Sequence, residues 1–183
     1  GVEMKGVLLT AAVLCFMGCT TPEEEKPKAW SQAEQTALGI VRIDTRDVPI
    51  DEMEWENEWV DISLEFVEAG ASNDASFESA ATWGGHGAIH VRGNSSRGYE
   101  KKQYALETRD VDGKDVDVAP FGMPEEEDWI LQAPYSDKTL MRNHLMFKWA
   151  RSIGRYAPRT HFVELFMEQG GETLGVEDYQ GVY

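Results

Sequence analysis

The chain has 183 residues, 42% hydrophobic and 27% charged, which suits one soluble domain with a core of its own. Its 17 basic and 33 acidic residues give a formal charge of −16. That balance argues against tracking along the phosphates of nucleic acid and favours a small anionic ligand held at a local basic spot, or a basic protein partner. The two cysteines, Cys15 and Cys19, both stand in an N-terminal apolar run, so the domain that follows has no disulfide of its own and no cysteine-built zinc site.

In chain order, Met4 and Lys5 open a short positive region, and Gly6 to Gly18 is almost wholly apolar or small. The run is shorter than the roughly 20 apolar residues that span a bilayer. It closes on Phe16-Met17-Gly18-Cys19, which resembles a bacterial lipoprotein signal over residues 1–19, with Phe16 where leucine is usual. An ordinary secretory signal or a short anchor is the alternative. The resemblance implies lipidation of Cys19 and an exported, lipid-anchored protein of the bacterial cell envelope, at the outer membrane or cell surface, held to membrane by its lipid alone. Residues 20–37, with Glu23-Glu24-Glu25-Lys26-Pro27-Lys28, read as a flexible polar tether.

The folded part is expected from Leu38 onward. Gly39 to Thr45 and Trp59 to Val67 alternate apolar and polar residues and read as strands. Glu68 to His86, rich in Gly, Ala and Ser, reads as a loop. His86 to Arg92 and Lys102 to Thr108 read as two strands joined by a polar turn. Asp110 to Asp115 is a turn whose acidic spacing lacks the length and closing glutamate of a calcium loop. Trp129-Ile130-Leu131 is a short apolar run. Ser136 or Asp137 caps a helix over Thr139 to Ile153, whose stripe Met141, Leu145, Trp149, Ile153 is expected to face the core. Gly154 ends it. His161 to Met167 and Tyr179 to Tyr183 are further strands. Strands dominate, with one clear helix, so the class is α+β.

The turn Gly93-Asn94-Ser95-Ser96 and the doublet Lys101-Lys102 suit phosphate oxygens, since amides of such a turn can point at an anion and an ammonium adds charge. The same residues also suit a plain strand connection. The four histidines, 86, 90, 144 and 161, show no close metal-ligand pair.

Several blocks occur together in order: Ile40 to Thr45, Val91-Arg92-Gly93-Asn94-Ser95-Ser96, Lys101 to Asp110, Gly122 to Leu131, Ala133 to Asn143, Arg155 to Thr160 and Tyr179 to Tyr183. Together they resemble the CotH kinase family, relatives of the spore-coat protein H kinases, from about Leu38 to Tyr183. The resemblance implies an atypical protein-kinase-like fold, ATP and Mg2+ as cofactors, and transfer of the γ-phosphate to serine of a secreted or surface protein, one expected to be Ser-rich and basic. The family's catalytic and metal-binding aspartates are expected beyond Tyr183, so the chain corresponds to the N-terminal part of the domain. The nucleotide-binding residues implied are Arg92, Gly93, Asn94, Ser95, Ser96, Lys102 and Arg142. Lys102 is preferred over Lys101 because it shares a strand face with Tyr104 and Leu106, which leaves Lys101 in solvent. Both lysines could instead shield a sheet edge. Arg142 and Asn143 face the cleft or tie the helix to the Trp129 segment, and Tyr135 stacks on adenine or packs. A non-enzymatic surface-binding module on the same scaffold is the alternative function.

Overall fold

The structure, a computed structural model, describes residues 30–31, 34–50, 58–72, 74–169 and 173–183. The expected signal segment with Cys19, and most of the tether, lie outside the described residues. Nine strands and one α-helix are described: β1 (Gln35–Thr36), β2 (Gly39–Asp44), β3 (Val60–Val67), β4 (Ala75–Ser76), β5 (Trp83–Arg92), β6 (Gln103–Arg109), β7 (Asp128–Leu131), α1 (Arg142–Ser152), β8 (Val163–Glu168) and β9 (Tyr179–Val182). The class is α+β as expected.

Seven strands form one sheet in the order β7-β6-β5-β3-β2-β8-β9, while β1 and β4 pair apart from it. Every neighbouring pair is antiparallel except β2 with β8, which run parallel with Gly39 opposite Val163. The sheet curls strongly. Lys101, just before β6, donates from Nζ to the Val182 carbonyl of β9 at 2.5 Å, and the Tyr104 and Tyr183 rings lie 6.1 Å apart, although four strands separate β6 from β9 in sheet order. The alternating positions of β3 and β6 explain which face is enclosed. Ile62, Leu64, Tyr104 and Leu106 point inward and join Val41, Ile43, Ile89, Leu165 and Met167 in the main core. A second cluster covers the opposite face of β2 and β8, where Ile40, Val67, Phe77 and Phe166 meet Trp30 and Tyr179. With both faces covered, all six positions of β8 are buried.

The ordered part reaches further toward the N-terminus than Leu38. The Trp30 ring packs edge-on to Phe166 at 5.3 Å and against Tyr179 at 5.1 Å. The segment expected to be a loop before His86 already contains β4 and the first residues of β5. Gly84, Gly85 and Gly87 have weak strand propensity, but pairing with β3 supplies their ladder. A Cβ on Gly87 would stand 2.6 Å from the Glu107 carbonyl oxygen, so glycine there permits close approach of β6.

The largest departure concerns α1. Its stripe does not face the core: no residue of the helix is buried, and Met141, Trp149 and Ile153 are exposed. Helical spacing identifies an apolar face but not its partner, and the enclosed face of the sheet is already filled by strand side chains. The residues α1 turns toward the sheet are His144, Phe147 and Arg151. Asp137 does cap the helix, from outside it. Its Oδ1 accepts from the Thr139 amide and hydroxyl at 3.1 and 2.8 Å, and its Oδ2 accepts from the Arg142 amide at 3.1 Å. Among the described residues no helix is long and apolar enough to cross a membrane.

Candidate functional site

The site is built where three loops converge: the β5–β6 connection, the segment after β7, and the start of α1. Pairing of Arg92 with Gln103 and of Tyr104 with Leu131 brings these chain ends together. Gly93 turns the chain out of β5 at φ +104°, and a Cβ there would overlap Ser96 Oγ. Glycine is therefore favoured on conformational grounds, and any Cβ would also force the Ser96 hydroxyl to turn aside. Ser95–Gly98 then forms one 3-10 turn. Tyr99 stacks on Tyr135 at 5.1 Å, and the Tyr135 hydroxyl donates to Glu100 Oε2 at 3.2 Å. These contacts clamp the hairpin to the segment after β7.

Two cavities adjoin here. The smaller, about 360 Å3, is lined by Asn94, Ser95, Ser96, Tyr99, Asp137 and Arg142 among others. The larger, about 800 Å3, lies between the β6–β7 part of the sheet, α1 and the segment 156–162, and includes Arg92, Trp129, Phe147, Phe162 and Tyr183 in its wall. Gln103, Gln132, Pro134 and Asn143 line both. Of the residues anticipated from sequence, Asn94, Ser95, Ser96 and Arg142 thus share the smaller cavity, Gly93 shapes its loop, and Arg92 belongs to the larger. Arg142 is set by its neighbour: Asp137 accepts its amide and stands 3.4 Å from its Nε. Burial would raise the Asp137 carboxyl, but the Thr139 hydroxyl, the Arg142 and Thr139 amides and the Arg142 charge together hold it below its ordinary value.

The lysines are arranged differently from the expectation. Lys102 Nζ donates to the Arg97 carbonyl at 2.7 Å, closing the 3-10 turn on itself, and its side chain is on neither cavity wall. Lys101 is not in solvent. Its ammonium lies 4.2 Å from the centre of the Tyr183 ring and on the Val182 carbonyl. Burial lowers its pKa from 10.5 to about 8, although the Glu164 carboxylate acts in the opposite sense. The strand alternation used to separate the two does not extend to them, because β6 begins at Gln103 and curling of the sheet carries Lys101 across to β9. Tyr135 is covered on both sides, by Tyr99 and by the Lys138 ammonium at 4.2 Å, which leaves it a packing role.

The histidines serve structure. His86 Nδ1 is 3.0 Å from Arg46, His90 packs on Trp59, His144 Nδ1 is 2.7 Å from the Thr160 hydroxyl, and His161 stacks on Phe121. Among the described residues no group of three His, Cys, Asp or Glu could hold a metal ion. Sequence reasoning missed the second compartment of the site. Its wall includes Trp129, whose indole N–H is buried without a hydrogen-bond partner among the described residues, and the basic side chains of Arg151 and Arg159. The signal that could have found it was the basic run after Asp137.

Fold and cavities together describe a curled-sheet domain with a polar, partly cationic pocket beside a larger apolar one. The chain matches the family described as CotH kinase protein over residues 89–183, just over half of its length, and it belongs to that family. The match begins within β5 and covers the hairpin, α1 and both cavities. No curated protein gives a match to the chain.

Proposed function

We propose that the chain is the nucleotide-binding part of a secreted phosphotransferase, an atypical protein-kinase-like domain that takes ATP and passes its γ-phosphate to serine of a surface or coat protein that is Ser-rich and basic. The observation that carries this reading is the pair of adjoining cavities. The smaller one offers hydroxyl and amide groups and the Arg142 guanidinium, which suit phosphate oxygens. The larger one has an apolar and aromatic wall that includes Trp129, Phe147 and Phe162, which suits a nucleobase. Phosphoryl transfer is largely positioning and charge stabilisation, and Asp137, by fixing Arg142, supplies positioning. Lys102 acts here by holding the 3-10 turn in shape. Mg2+ would offset the phosphate charge when bound, but the described residues contain no ligand set for it.

The rival, a non-enzymatic binding module of the cell surface, draws on one fact: among the described residues Asp137 is the sole carboxylate lining the smaller cavity, and its oxygens are already engaged by the helix cap. Calorimetric titration of ATP into the chain tests the reading. Saturable binding is expected, weakened about 10- to 100-fold in Arg142→Ala, the value of a hydrogen bond to a charged group. Absence of saturable binding, or equal binding by Arg142→Ala and Asn94→Ala, would overturn it. Transfer of label from ATP to a basic Ser-rich acceptor separates the kinase from the binding module.

A further inference from the structure

Among the described residues none covers the outward face of α1, and its chemistry is specific. At about 100° per residue, Leu145, Trp149, Ile153 and Met146 fall on one side of the helix. Trp149 is 58% exposed, Ile153 75% and Tyr156, just beyond, 97%. Large apolar side chains left open in this way mark an interaction surface. The charge around them is one-sided. From Lys138 to Val163 the chain carries six of its 17 Lys and Arg and none of its 33 Asp and Glu. Lys148 flanks the apolar stripe, and Arg155 and Arg159 extend it past the helix end, all three exposed.

From this juxtaposition we propose that the outer face of α1 with residues 153–159 lies on an anionic membrane surface, Trp149, Ile153 and Tyr156 entering the headgroup boundary and Lys148, Arg155 and Arg159 meeting lipid phosphates. A helix with a cationic polar side and Trp, Ile and Met on the other has the composition of an interfacial helix. Charge complementarity selects an anionic surface over a neutral one. The strong negative charge elsewhere on the molecule is no obstacle, because at physiological salt charges beyond about 8 Å are largely screened. On α1 the larger cavity is lined by His144, Phe147 and Arg151, away from Trp149 and Lys148, while Tyr156 and Arg159 also stand in its wall, so the surface contact borders that cavity at residues 156–159. Membrane engagement then has a protein component besides any lipid on Cys19.

The test is flotation of the full chain with phosphatidylcholine vesicles containing 30% phosphatidylglycerol, against pure phosphatidylcholine vesicles. Binding to the anionic vesicles is expected to exceed binding to the neutral ones and to fall on raising the salt to 0.5 M. Lys148→Glu with Arg155→Glu should lower the partition coefficient at least about 30-fold, each surface cation contributing roughly fivefold, with the circular dichroism spectrum and ATP binding unchanged. Trp149→Ser with Ile153→Ser should lower it independently, with its fold checked in the same way. Equal flotation of all variants, which would place the binding in the N-terminal apolar run, overturns the proposal. So does salt-sensitive self-association in sedimentation that the same substitutions abolish without any vesicle binding, which would make a second copy the occupant.

Discussion

Replacing Lys101 by methionine should change how stability depends on pH in a way that identifies the lysine's environment. Burial lowers its pKa from 10.5 to about 8, so between those values the unfolded chain binds a proton that the folded chain has released. Stability therefore rises with pH across that window. The full displacement, at about 1.4 kcal/mol per pH unit, would give about 2 kcal/mol between pH 7 and pH 9.5. Lys101 is only half-buried, so solvent screening reduces the expected gain to about 1 kcal/mol, or about 2–4 °C in Tm for a domain of this size. Measurement should stop below pH 10. Above it Tyr179, whose hydroxyl is raised by burial and by its 2.5 Å bond to Glu164, contributes in the opposite direction. Urea melts of wild type and Lys101→Met at pH 7, 8, 9 and 9.5 should show the methionine variant as stable or more so at pH 7, and the gap should shift by about 1 kcal/mol in favour of wild type by pH 9.5. The neutral amine still donates to the Val182 carbonyl, so wild type keeps that bond throughout. Parallel curves would refute the reasoning, and would mean that Lys101 sits in water and that the sheet does not curl far enough to bring β9 over it.

Gly93→Ala should cost about 2 kcal/mol, since φ +104° is strained for alanine and the new Cβ meets Ser96; thermal melts measure the loss, and calorimetry should show ATP affinity reduced more than tenfold. Trp30→Ala should destabilise by about 2–3 kcal/mol through its lost packing on Phe166 and Tyr179, read from denaturant midpoints; an unchanged midpoint would return residue 30 to the tether. Glu127, raised from 4.5 to about 7 by hydrogen bonding with Asp117 and by Glu126, although its backbone hydrogen bond acts in the opposite sense, binds its proton more tightly when folded. Its contribution is present below pH 4.5 and lost as pH rises through 7. Glu127→Gln should therefore remove a fall in stability between about pH 5 and 7, measured as Tm against pH.

Much of the architecture is legible in the residues because it is written in period two. Trp59 to Val67 and Lys102 to Thr108 alternate so regularly that β3, β6 and their inward faces follow directly, and the Gly93 turn announces itself by composition. The helix was legible too, but its orientation was not: Met141, Leu145, Trp149 and Ile153 have the spacing of a core stripe and stand outside the core. The two lysines failed for a related reason. Alternation holds only while residues are in the strand, and Lys101 and Lys102 precede it.

The sequence by itself determined the strands, the helix, the turn glycine and membership of the CotH kinase family, because these depend on neighbours in the chain and on ordered local motifs. The tertiary structure decided which residues face one another. Curling of the sheet carried Lys101 to β9 and split the anticipated site into two cavities, with Arg92 in one and Asn94, Ser95, Ser96 and Arg142 in the other. It also left α1 with its apolar side outward. Such outcomes depend on how strands distant in the sequence fill a shared interior, and local periodicity holds no record of that.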